Sequence, residues 1–433
     1  MLETLNNWII SANDWIWTYL LIILLILIGL YFTFKSRFVQ FRYFGEMFRL
    51  LGQGVSNGKG KNSVSSFQAF CIATASRVGT GNLAGVATAV ALGGSGAVFW
   101  MWVLALIGSA SAFVESTLAQ IYKEKGERSF IGGPAFYIGK GLKKKGLALL
   151  FAFIIIITFG LVFNSVQANT IAIAFHEIYG TGQLGPAIIL TFFTLITIFG
   201  GIHRIARVAG IIVPFMAIAY ILVALFILFN HMTAIPALIG HIFSNAFGIA
   251  QVVGGGLGAT IMQGVRRGLF SNEAGMGSAP NAAATATVSH PVKQGLIQAL
   301  SVFTDTIVIC SCTAFIILLS DLPLDGTLKG IQLTQAAVGH EIGPFGAQFI
   351  AFCILLFAFS SIIGNYSYCE TNLFFISRHP AGLQIYRIAL IFLGHLALKA
   401  LKNYNDQKRR GIKSPVFKAS DIPEIEDQLS EWK

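Results

Sequence analysis

The run from Trp15 to Phe34 carries no charge over 20 residues, and about 20 apolar residues is what a helix needs to cross about 30 Å of hydrocarbon. Runs of the same kind recur along the chain, so the medium it folds into is lipid. Composition agrees: of 433 residues, 55% are apolar and 11% charged, with a mean hydropathy of +0.71. A water-soluble domain has too little interior for that much apolar surface. Lipid offers no partner to a backbone amide, which leaves helices or a closed barrel. The Leu/Ile/Phe runs lack the two-residue alternation of barrel strands and predict an all-α polytopic membrane protein.

Nine spans follow from the hydropathy: 14 to 34, 65 to 92, 96 to 122, 147 to 173, 183 to 201, 206 to 230, 245 to 266, 293 to 320 and 347 to 377. The net charge of +11 reads as topology and not as a nucleic-acid surface. Its positives gather in loops: Lys35, Arg37, Arg42, Arg49, Lys59 and Lys61 in one, Lys123 to Lys145 in the next. Loops rich in Lys and Arg stay cytoplasmic, so the N-terminus with Glu3 and Asp14 is expected outside. On that alternation the segment 264 to 293, with Arg266, Arg267 and Lys293, is a cytoplasmic loop. The basic flank follows the first span, which excludes a cleavable secretory signal. Cys71, Cys310, Cys312, Cys353 and Cys369 lie in apolar segments without metal-ligand spacing and read as buried thiols.

The end of the chain departs from this alternation. Ile385 to Leu401 is a short apolar stretch followed by Lys402, Lys408, Arg409, Arg410 and Lys413, and one crossing there would put a basic tail outside. Either the stretch lies in the interface, or a pair of crossings has been joined into one near Gly394.

Two spans are rich in glycine. The second holds Gly79-Thr80-Gly81-Asn82, and the seventh holds Gly254-Gly255-Gly256. Glycines beside Thr and Asn in mid-membrane are what a discontinuous helix requires, and they are also what close helix packing requires. Placement weighs towards interruption, because each cluster opens one of two successive sets of helices. Residues 1–34 form an extra N-terminal helix, 65–230 the first five-helix repeat, 245–401 a second and shortened repeat, and 402–433 a cytoplasmic tail. Five is odd, so the two sets are inverted. Interrupted helices at matching positions of two halves point to a transport site at the midplane. Half-helix N-termini suit a carboxylate, and freed carbonyls with hydroxyls suit a hard cation such as sodium. Ser360 and Ser361 supply adjacent hydroxyls on the ninth span, where bonding back to a carbonyl one turn earlier competes with a ligand role.

The runs Gly79 to Thr88 (GTGNLAGVAT), Glu115 to Gln120 (ESTLAQ), Gly132 to Ala135 (GGPA) and Arg267 to Pro280 (RGLFSNEAGMGSAP), with Asp305-Thr306 and Ser360 to Glu370, resemble the alanine/glycine:cation symporter family. The family has the leucine-transporter-like fold of the amino acid-polyamine-cation superfamily. The resemblance covers residues 65 to about 390. It implies uptake of a small neutral amino acid with sodium, across the cytoplasmic membrane of a bacterium. It implies substrate contacts at Gly79, Thr80, Gly81 and Asn82, with Gly254, Gly255 and Gly256 as the facing break. It also implies a sodium position built from carbonyls near Ala75 and Val78, from Phe357 and from Ser360 and Ser361, with Asn82 on a further sodium. Two helices beyond the ninth span are expected of the family, and this chain has material for at most one.

Other polar residues have two readings. Gln167 lines a pocket or makes an interhelical hydrogen bond. Arg77, Glu115 and Asp305 are ionisable groups within spans and read as an internal ion pair or gate before direct ligation. Arg267, Asn272 and Glu273, at what reads as a cytoplasmic turn, are gate or structural residues. A proton-coupled carrier of the same fold would place a titratable group where Ser360 and Ser361 stand. A channel would show a continuous polar stripe through several helices. An enzyme would need a catalytic constellation, and His203, His241, His290 and His340 sit in none.

Overall fold

The computed structural model describes residues 2–56, 63–126, 129–180, 184–247, 256–324 and 326–377. Among them, six helices are long and apolar enough to cross a membrane: Asn6–Lys35, Gly96–Ile121, Lys145–Tyr179, Gly201–Asn230, Pro291–Leu319 and Pro344–Ile376. Gly81–Gly93, Gly185–Phe199 and Ile235–Phe247 are shorter and equally apolar. Their surfaces divide as a bilayer demands. Ile211, Phe215, Leu222 and Phe229 lie on the outside of Gly201–Asn230, whereas Ala206, Ala209, Val213, Met216 and Tyr220 of the same helix are buried. The expected all-α membrane protein is what forms.

Asp14 and Lys35 mark opposite ends of the first helix and therefore opposite faces of the molecule. The span foreseen at 65 to 92 starts on the Lys35 face and is two pieces, Ser66–Arg77 and Gly81–Gly93. Its start is set by a capping box: Ser65 Oγ accepts from the Gln68 amide at 3.1 Å, and Gln68 Oε1 accepts from the Ser65 amide at 3.0 Å.

Of the segment 245 to 266 foreseen as the seventh span, residues 245–247 and 256–266 are described. Ile235–Phe247 is a separate helix against the Gly94–Trp100 end of its neighbour, with Asn245 Nδ2 donating to Ser95 Oγ at 2.8 Å and Trp100 Nε1 to the Ala246 carbonyl at 3.3 Å. Gly254 and Gly255 lie outside the described residues, and Gly256 opens a helix that runs on to Asn272. Residues 273 to 278 are not helical, and Ala279–Thr285 resumes. This broken helix starts beside Gly93, where an added Cβ would touch Gln263 and Thr260, and ends where the Thr287 amide donates to the Val64 carbonyl at 3.0 Å. It therefore runs antiparallel to the first.

Arg266 pairs with Asp14 at 3.0 Å and stands 5.7 Å over the Trp17 ring. It belongs to the Asp14 face, which corrects its placement in a loop on the Lys35 face. Counting Lys and Arg assigns loops only where the charges lie in loops, and this one is tethered within a helix.

Two further elements position the breaks. Pro344–Ile376 lies along the first half-helix, so closely that a Cβ at Gly364 would stand 2.9 Å from the Ser76 amide nitrogen. Ile331–Ile342 covers the break from the Asp14 face, with Thr334 Oγ1 donating to the Leu83 carbonyl at 3.1 Å and Gln335 Nε2 to the Ala174 carbonyl at 3.0 Å. The stretch 385 to 401 and the tail 402–433, with the joined crossings expected there, lie outside the described residues.

Candidate functional site

In an unbroken helix the amides of Gly79 and Thr80 would bond the carbonyls of Ala75 and Ser76. Both are turned away. The Gly79 amide donates to Asn82 Oδ1 at 3.0 Å and the Thr80 amide to Gln167 Oε1 at 3.1 Å. Val78, with ψ of 88°, is where the helix stops. A side chain at 79 is impossible without movement, since a Cβ there would overlap Ser361 Oγ and lie 3.0 Å from Gln167 Nε2. The local sequence therefore makes the break twice over, by the glycine that permits close approach and by the two carboxamides that take the freed amides.

The freed carbonyls face Pro344–Ile376. Ser360 Oγ lies 3.4 Å from the Ala75 carbonyl oxygen and 2.9 Å from that of Phe357, and Ser361 Oγ lies 3.5 Å from the Val78 oxygen and 3.0 Å from that of Phe357. Ala75, Val78, Phe357, Ser360 and Ser361 are all fully buried. Five oxygens from two helices thus converge at the bottom of the break, the donor type a hard cation takes. The two serines also bond back to the Phe357 carbonyl, one of the two readings foreseen for them. On the far side of the break Thr80 Oγ1 is buried with no hydrogen-bond partner among the described residues.

The end of the helix Gly256–Asn272 approaches the first break. A Cβ at Gly81 would stand 3.2 Å from the Ser271 Cα and 3.3 Å from a Phe270 ring carbon. Phe270 stacks on Phe163 at 5.0 Å, and Phe163 stacks on Phe159 at 4.6 Å. This aromatic column beside the glycines was not foreseen, because in sequence its members are indistinguishable from lipid-facing phenylalanines. Past the end of Gly256–Asn272 the segment from Glu273 to Ser278 is not helical, while Gly254 and Gly255, expected as the facing break with Gly256, lie outside the described residues.

Most of the expected gate residues are stitched into this second break. Glu273, Gly275 and Gly277 have φ of +52°, +80° and +76°, which glycine tolerates and glutamate does not without cost. The buried carboxylate of Glu115 accepts from the amides of Gly275 at 3.3 Å and Gly277 at 3.2 Å. Asn272 Oδ1 accepts from the Ala274 amide at 3.0 Å, and its Nδ2 donates to Thr306 Oγ1 at 3.2 Å. Asp305 joins the two breaks: it accepts from Asn82 Nδ2 at 2.7 Å, Ser271 Oγ at 2.8 Å and Thr306 Oγ1 at 2.9 Å.

Arg77 corrects one expectation. It makes no direct ion pair with a carboxylate among the described residues and instead donates to Ser301 Oγ and to the Gln298 carbonyl. Its charge still acts across the site on Glu115, Glu273 and Asp305. Arg267 lies on the helix before the break, not in the turn.

The ESTLAQ run ends in a clasp on the Lys35 face. Gln120 Nε2 donates to the carbonyls of Ala283 at 2.5 Å and Ala286 at 3.0 Å, and Lys123 Nζ donates to the Ala286 carbonyl at 2.8 Å. Burial holds the Lys123 ammonium down at about 8. The clasp pins the end of the second broken helix.

Residues 2–393 match the family model described as the sodium:alanine symporter family. A probable sodium/glutamine symporter, GlnT, of Bacillus subtilis (strain 168) is 50% identical, covering 96% of this chain and 94% of the relative. The amino-acid carrier protein AlsT of the same organism is 51% identical over 98% and 97%. A sodium/proton-dependent alanine carrier protein of Bacillus sp. (strain PS3) is 40% identical over 80% of each chain. The alignment to AlsT has 456 positions, more than the 433 residues present, so that relative has residues with no counterpart here.

Proposed function

This chain belongs to the sodium:alanine symporter family, and on that premise we propose that it moves a small neutral amino acid into the cell with sodium, by alternating access. The observation that carries the reading is the meeting of the Ala75, Val78 and Phe357 carbonyls with the Ser360 and Ser361 hydroxyls at a helix break. Sodium is cargo at that position. Its binding ties the half-helix Ser66–Arg77 to Pro344–Ile376, and the difference in affinity between two conformations couples it to the amino acid. The carboxylate of the amino acid takes the start of Gly81–Gly93, where Thr80 Oγ1 has no hydrogen-bond partner among the described residues and helix-end amides favour negative charge.

The antiparallel pair of broken helices supports the five-plus-five inverted repeat, with 65–230 and 245–401 as its halves. The basic loops support a cytoplasmic Lys35 face and an external N-terminus. The test is uptake of labelled L-alanine into proteoliposomes of the purified chain under an inward sodium gradient against an equal potassium gradient. Accumulation with sodium alone is expected; equal uptake in both overturns sodium coupling.

A second reading, with glutamine as cargo, is favoured by the Asn365–Asn164 carboxamide pair, 2.9 Å apart and tied to the first break through Ser76. The name of the 50% identical relative points the same way. Unlabelled glutamine that competes with alanine at lower concentration than serine does would establish it.

A further inference from the structure

Ser76, one residue before Arg77 on the first half-helix, touches two acceptors. Its Oγ lies 2.6 Å from Asn365 Oδ1 and 2.9 Å from Glu273 Oε1. A hydroxyl has one hydrogen, so one of these contacts needs a hydrogen from elsewhere. Turning the Asn365 amide over does not supply it. Asn365 Nδ2 donates to Asn164 Oδ1 at 2.9 Å, and Asn164 Nδ2 donates to the Gly160 carbonyl at 3.1 Å. The series ends on a backbone oxygen, which can only accept, and this sets the orientation of both carboxamides. The other oxygen of Glu273, Oε2, accepts from Ser278 Oγ at 2.6 Å.

We infer that Glu273 is a proton-binding site and holds a proton on Oε1 in this conformation. With it, Glu273 donates to Ser76, Ser76 donates to Asn365, and every contact in the series has its hydrogen. Without it, two oxygens at 2.6 or 2.9 Å face each other with none between them, in a site where Ser76, Glu273 and Asn365 are at most 4% exposed. The proton therefore fastens three moving parts: the first half-helix, the second break, and Pro344–Ile376. The charged and titratable groups that face Glu273 are Arg77 on the half-helix, Glu115 on Gly96–Ile121, Asp305 on Pro291–Leu319 and Tyr368 on Pro344–Ile376. Two of these are carboxylates already supplied with donors, so a third charge on Glu273 is the one the site least accommodates.

The inference rests on the alternating-access reading only for its consequence, that losing the proton frees the half-helix to move. The proton itself is tested without transport. Infrared difference spectra of the purified chain, titrated between acid and alkaline pH, are expected to contain a buried carboxylic-acid carbonyl band that E273Q removes and Ser76→Ala shifts. No such band near neutral pH, or a band that survives in E273Q, overturns the proposal, whatever the vesicles do. Should E273Q not fold, a band that Ser76→Ala leaves unmoved overturns it equally. In proteoliposomes E273Q, which keeps a donor to Ser76 at every pH, is expected to slow sodium-driven uptake by about tenfold, the upper scale of one neutral hydrogen bond. Its residual uptake should no longer vary with pH. A pH profile in E273Q that matches the parent protein would count against the site.

Discussion

The two helix interruptions are built in opposite ways. At Val78 to Thr80 the chain is broken by turning two amides onto side chains, and what remains is oxygen: the carbonyls of Ala75 and Val78 beside Ser360 and Ser361. From Glu273 to Ser278 the break is longer and twists through three positive-φ residues. Its amides and carboxyl are answered by Glu115, Asn272, Ser76 and Ser278. The first break leaves backbone oxygens facing two serine hydroxyls, and the second uses its polar groups on itself. A polar, glycine-rich interruption in lipid is thus not by itself a binding site; what decides is whether the fold has already satisfied it.

Removing the support of the second break should have the largest effect. Glu115→Ala leaves the Gly275 and Gly277 amides buried without an acceptor and is expected to cost about 3 kcal/mol or more. The check is thermal unfolding in detergent; a melting curve that overlays the parent would mean that the plug is not structural.

Gly79→Ala attacks the first break instead. Its methyl group would overlap Ser361 Oγ, so the expected result is a sodium half-saturation raised about thirtyfold, roughly 2 kcal/mol, with milder change in stability than Glu115→Ala. If the two variants lose stability alike, the contrast between a binding break and a structural break fails. Ser361→Ala removes one oxygen of five and should raise sodium half-saturation about tenfold, near 1.4 kcal/mol, at unchanged melting. Uptake titrated with sodium reads both.

The smallest effect belongs to Arg266→Gln. Its pairing with Asp14 is partly exposed and should contribute less than about 1 kcal/mol. A larger fall in melting temperature would show that the second broken helix is held mainly from its Asp14 end rather than at the break.

Much of the first break was legible because it is local: Gly79, Asn82 and the half-helices on either side lie within one short stretch. Arg266 and Arg267 were misplaced for a physical reason. They look like the edge of a cytoplasmic loop. The partner that holds Arg266 at the opposite face, Asp14, lies 252 residues away, and so does not register in any local count. Phe163 and Phe270 escaped notice likewise, since apolar residues in lipid carry no mark of which face they occupy.

What the amino-acid sequence determined by itself is the medium, the helices and the chemical types: runs of about 20 apolar residues admit only spanning helices, and glycine with Ser, Thr and Asn inside them signals where backbone groups come free. What only the tertiary structure decided is which freed groups stay free. That depends on hydrogen bonds between helices far apart in the chain, Glu115 to Gly275 and Gly277, Gln167 to Thr80, and Ser76 to Asn365, and a donor or acceptor is spent or spare only once its distant neighbour is in place.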